Sequence, residues 1–204
     1  MAGRDGKSLL DNERSRVQPS SSLPTDKDER MTSLKDPVMG LVRASLDPAA
    51  QTARKRTESP VCQVVIRAAE ADLAAGGADN VNKLAVGAGG AAAAGLTAWL
   101  AQERDGDPAV IIAEFEKTAA VHGIPPAPLV PMLKTLLTGP TGMEHTADFM
   151  VQLFHDDEEV FYDLIVDLAH YIATCIGLLA AHDISSRDDT LDALDDMLET
   201  FFTN

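Results

Sequence analysis

Between residues 187 and 202, Leu191, Leu194, Leu198 and Phe201 recur at three- and four-residue steps. Asp188, Asp192, Asp195, Asp196 and Glu199 fall largely on the opposite side. That period marks an amphipathic helix with one face on a core and the other in water. Its acidic side is the first candidate interaction surface. Upstream, residues 157–182 follow another pattern. Val160, Phe161, Leu164, Ile165, Leu168, Ile172, Ile176 and Leu179 leave only a thin polar line of Glu159, Asp163, Asp167, His170 and Thr174. A helix apolar around most of its circumference belongs at the centre of a bundle. This segment is the predicted long central helix.

Punctuation along the chain sets the remaining elements. Ser59-Pro60 offers a cap and a proline at the first helical position, and a helix is predicted over 60–75, closed by Gly76-Gly77. A second runs from about 79 to 103. Asp107-Pro108 repeats the start signal for a third, which ends near Gly123 with Pro125 and Pro126 beyond. A shorter one fits 128–138, before Gly139-Pro140. Thr141 with Glu144, Asp156 with Glu159 and Ser186 with Asp189 have capping-box spacing, for helices over 142–155, 157–182 and 187–202. The expectation is an all-α fold, a compact bundle of six or seven helices with short connections.

Residues 1–58 read differently. Ser, Pro and mixed charge dominate, as in RVQPSSSLPTDKDER, and such a stretch cannot bury enough apolar surface to offset its ordering entropy. The expected organisation is a disordered polar tail over 1–58 and an acidic helical domain over 59–204. Leu34, Val38, Leu41, Val42 and Leu46 interrupt the tail at roughly helical spacing, broken by Pro37. A short helix over 31–46 that docks on the domain or on a partner is expected there. Arg54, Lys55 and Arg56 form a basic knot just before the domain.

Charge sharpens this division. Residues 1–59 hold 11 Lys/Arg and 9 Asp/Glu, whereas residues 60–204 hold 6 and 23. After residue 143 there are 15 acids and a single cation, Arg187. A field of that sign repels nucleic-acid phosphates and anionic membranes, and favours basic protein partners or cations. Aromatics make up only 4% of the chain, so the core must rest on Ala, Leu, Val and Ile. Cys62 and Cys175 lie in apolar runs and read as buried free thiols. The N-terminus has no uninterrupted apolar stretch resembling a signal peptide, and a cytoplasmic location is expected.

Two segments could carry chemistry. Asp163, Asp167 and His170 stand at i, i+4 and i+7 on one helix face, where two carboxylates and an imidazole could converge on a divalent metal. The acids of this helix, Glu158, Glu159, Asp163 and Asp167, look slightly like half the site of MazG-type all-α nucleotide pyrophosphohydrolases. The upstream acids that would complete it, Glu70 with Asp72 or Glu114 with Glu116, have the wrong spacing. His155-Asp156 and His182-Asp183 imitate the short motif of HD-type phosphohydrolases. A bundle di-metal site would also need a second carboxylate-x-x-His copy, which the chain lacks.

The other segment is the uncharged run over 84–102. Gly87, Ala91 and Gly95 at four-residue spacing would let a neighbouring helix approach closely. The same residues can be read as a dinucleotide loop, Gly87-x-Gly89-x-x-Ala92, with Ala109–Glu114 as a following strand. Against that, Glu114 lies 27 residues after Gly87, and few strands remain for a sheet. As a membrane span the run is long enough but poor in strong hydrophobes. The reading that absorbs most of these features is a non-enzymatic helical interaction or regulatory protein. It would act through acidic helix surfaces and a flexible tail, with no cofactor and a basic partner. A divalent-metal hydrolase built on Asp163, Asp167 and His170, and a dinucleotide-binding protein, are the alternatives.

Overall fold

The computed structural model describes residues 26–52, 56–121, 128–137 and 141–203. It is all-α, and the described residues contain no strand. Helix α1 (Asp26–Ser45) and the short α2 (Pro48–Thr52) precede a 3₁₀ turn at Arg56–Glu58. Then follow α3 (Pro60–Ala75), α4 (Asp79–Val86), a π-helical segment (Gly87–Ala93) and α5 (Ala94–Glu103). The chain continues with α6 (Pro108–Val121), α7 (Leu129–Leu136), α8 (Gly142–Asp156), α9 (Glu158–Ala181) and α10 (Arg187–Thr203).

Helix α9 is the spine. Phe161, Leu164, Ile165, Leu168, Ala169, Ile172, Cys175, Ile176 and Leu179 are all essentially inaccessible to solvent. The helix packs against α1, α3, α4, α5, α7, α8, α10 and the π segment. Asp79–Glu103 and Glu158–Ala181 are each long and apolar enough to cross a bilayer by length and composition. In the fold, 69% and 56% of their most apolar stretches lie buried inside the bundle. Polar side chains meet in this core, where Thr97 Oγ1 lies 2.6 Å from Tyr171 Oη.

The packed chain begins earlier than residue 59. Val38, Met39, Leu41 and Val42 of α1 are buried, and α1 packs on α3, α4, α9 and α10. The expected 31–46 helix is therefore a docked element of the bundle and continues through Pro37. Its apolar face supplies the burial that the polar segment as a whole could not. The first part of the expected disordered tail, residues 1–25, lies outside the described residues, as do Arg54 and Lys55 of the basic knot.

Close approach explains how α1 and α10 reach the small-residue run. A Cβ on Gly87 would strike Val38 of α1 and meet Phe202 of α10 at 3.0 Å, and one on Gly95 would strike Met197. The same packing overturns the dinucleotide-loop reading. Ala109–Glu114 is part of α6 rather than a strand, and the glycine run is itself helical. Gly87 and Gly89 face Val38, Phe202, Met132, Met150 and Leu168, which fill the space a pyrophosphate would need.

The caps differ in detail from the sequence pattern. Asp107 accepts from the Ala109 amide at 2.8 Å, and Ser186 Oγ accepts from the Asp189 amide at 3.1 Å while donating to its carboxylate at 2.6 Å. Asp157 rather than Asp156 caps α9, accepting from Val160 N at 3.1 Å. Thr141 and Ser59 make no side-chain cap, because Thr141 is itself helical in backbone and the Ser59 hydroxyl is buried without a partner. The α3–α4 corner is instead fixed by the buried Asp72. Its carboxylate accepts from the amides of Asn80 and Val81, both at 2.9 Å, and from Asn80 Nδ2 at 2.8 Å.

Candidate functional site

Helix α9 presents its polar line to two separate concavities rather than one. Asp163 lines a cleft between α3 and the first half of α9. His170 lines another, with Ser45, Leu46, Thr174 and Arg187, near the meeting of α1, α9 and α10. Asp167, half-buried, lines neither. The helical register that puts the three on one face also spreads them along the helix, since i to i+7 is about 10 Å of rise. Partial desolvation lowers the His170 pKa, which favours the neutral imidazole.

The acids whose oxygens do converge lie elsewhere. Asp195, Asp196 and Glu199 of α10 have one ligand atom each within 4.8 Å of the others, the group of that kind among the described residues. A cation already stands there. Lys35 Nζ donates to Asp195 Oδ2 at 2.7 Å and to Glu199 Oε2 at 3.1 Å. These hydrogen bonds raise the Lys35 pKa against a smaller opposing effect of burial. Near the start of α10, Arg187 Nη2 donates to the Leu46 carbonyl at 2.9 Å.

The predicted acidic face of α10 is thus divided. Asp195 and Glu199 hold α1 in place. Asp188, Asp192 and Asp196 are exposed, and their carboxylates make no hydrogen bond or ion pair among the described residues. The one cation of the acidic third, Arg187, is committed to a backbone carbonyl.

The α3–α9 cleft is the feature that the sequence pattern did not single out. It encloses about 510 Å³, and its lining is mainly apolar, with Cys62, Val65, Ile66 and Ala69 from α3 and Val166 from α9. Glu70, Glu158, Glu159 and Asp163 also line it. Tyr162 donates to Glu158 Oε1 at 2.6 Å, and its own pKa is pushed up to about 12 by burial and by that carboxylate. Leu73, at the far end of α3, is 84% exposed. The legible signal was the stripe Cys62, Ile66, Ala69 and Leu73 at i, i+4, i+7 and i+11, which makes α3 apolar over a wider arc than its core neighbours cover.

No protein-family model, curated protein or solved structure matches this chain.

Proposed function

We propose that this protein is a non-enzymatic interaction or regulatory protein that engages a basic protein partner through its acidic helices. The observation that carries this reading is the charge left uncompensated on the folded surface. Asp188, Asp192 and Asp196 stand exposed and unpaired on α10, while the cations near them, Lys35 and Arg187, are spent on internal contacts. Like-signed exposed charge steers and selects a partner of opposite sign, and the effect weakens as salt screens it.

The test is a titration of the purified full chain with Lys/Arg-rich peptides at low and high salt. Binding that falls with salt and weakens in the Asp188→Asn, Asp192→Asn, Asp196→Asn triple variant is the expected result. Turnover of a substrate by the purified protein, with no salt-sensitive peptide binding, would replace this reading by an enzymatic one.

A further inference from the structure

We infer that the α3–α9 cleft is the binding site for a short cationic amphipathic helix of a partner protein, an inference that rests on the interaction role above and adds a second, apolar-lined site to the acidic face of α10. The cleft has the two properties that such a helix requires. Its floor is apolar (Cys62, Val65, Ile66, Ala69 and Val166), and it ends at Leu73, the most exposed of the large hydrophobics in the described fold. Acids stand on both walls, with Glu70 on α3 and Glu158 and Glu159 on α9, and no Lys or Arg among the described residues lines it.

Size selects the ligand. From Cys62 to Leu73 the floor extends about 16 Å at the helical rise, which matches about three turns of a bound helix. A volume of about 510 Å³ receives the side chains of one helix face, not a whole helix. An apolar stripe at i, i+3 or i+4, and i+7 would enter the floor, the usual mode of helix-in-groove recognition. Because acids stand on both walls, the stripe must be flanked on both sides by Lys or Arg. A phosphate-bearing or lipid-surface ligand meets repulsion from the same carboxylates.

The experiment uses the full chain and a fluorescent peptide of about 12 residues, with Leu at helical spacing between flanking lysines. A control peptide has the same composition in scrambled order. Anisotropy should show the striped peptide binding at least about tenfold more tightly than the control, the scale of a lost hot-spot contact. Ala69→Trp, which fills the floor, and Leu73→Glu, which changes an exposed side chain and leaves the core intact, should each remove that preference. Asp148→Asn, which removes an exposed acid outside the cleft, should keep it.

Equal binding of both peptides, no binding of either, or a preference that survives both cleft variants would overturn the inference. If binding depends on the α10 acids alone, the interaction role stands and the cleft assignment falls. A zero-length amine–carboxyl cross-link from Lys7 to Glu70 or Glu159 in the free chain, together with exclusion of the peptide, would assign the cleft to the chain's own N-terminal segment and also overturn it.

Discussion

Lys35 and Asp195 lie 160 residues apart in the chain, and their side chains meet at 2.7 Å. Glu199, one helical turn beyond Asp195, takes the same ammonium at 3.1 Å. At the other end of α1, Arg187 holds the Leu46 carbonyl. Two polar ties therefore fasten α1 along α10 beside the apolar contact of Val38, Met39, Leu41 and Val42.

Replacing Lys35 with Met should loosen α1 without unfolding the bundle. Hydrogen exchange at the amides of residues 38–45 should quicken, while the amides of α9 stay protected. The pH sign follows from the raised Lys35 pKa. The tie is complete below the ordinary lysine value of 10.5 and is lost as pH rises through the higher folded-state value. Exchange in α1 that is unchanged by Lys35→Met at neutral pH would show that the apolar face alone fixes this helix.

Two glycines in helices should respond to alanine with opposite signs. At Gly177 of α9 an added Cβ meets nothing within 4 Å, so Gly177→Ala should stabilise by roughly 0.5–1 kcal/mol through backbone entropy. At Gly87 the same Cβ strikes Val38, a stiff β-branched side chain on a neighbouring helix, and Gly87→Ala should destabilise by about 1–3 kcal/mol. Urea unfolding followed through the single tryptophan, Trp99, reads both. Equal effects would mean that α1 does not bear on the small-residue run.

How much of this was legible in the sequence depends on range. Local signals placed the helices well: Pro60 starts α3, Gly76 closes it at φ 73°, and Asp107 caps α6. The apolar circumference of 157–182 correctly identified the spine, because burial on all sides leaves a mark on every turn. The π-helical turn over Gly87–Ala93 left no comparable mark, since Gly and Ala fit α and π geometry alike. Functional geometry was harder to read. One helix face can be read from spacing, but Asp163 and His170 face different concavities because α3 meets the first half of α9 and α1 the second. The pairing of Lys35 with α10 is a contact between distant segments, which no local pattern encodes, and of the α3–α9 cleft only the wide apolar arc of α3 is local.

The two cysteines should differ in reactivity. Cys175 is fully buried, and burial pushes its thiol from 9.0 up to about 12 despite a hydrogen bond with Tyr171 that opposes the rise. Cys62 lines the α3–α9 cleft. A thiol reagent should modify Cys62 first, and Cys175 only at the rate of unfolding. The raised Cys175 pKa leaves stability intact below 9.0, and stability declines as pH rises toward 12, because the unfolded chain ionises first. Cys175→Ala should flatten part of that alkaline decline. Labelling of Cys175 as fast as Cys62 in the native protein would contradict the packing of α9.

The metal-hydrolase alternative makes a claim that the geometry opposes. A cation on Asp163, Asp167 and His170 needs all three ligands within a few ångströms of one point, with bond lengths near 2 Å. Asp163 and His170 instead line different concavities, and of the acids that do cluster, Asp195, Asp196 and Glu199, the first and last already hold the Lys35 ammonium. Adding Mg²⁺, Mn²⁺ or Zn²⁺ should therefore leave the thermal midpoint of the wild-type protein unchanged. The Lys35→Met variant should behave differently, because removing the ammonium leaves three adjacent carboxylates that a divalent ion can bridge, and its midpoint should rise with added metal. A rise in the wild-type protein that disappears in Asp167→Ala would restore the α9 stripe as a metal site and reopen the enzymatic reading.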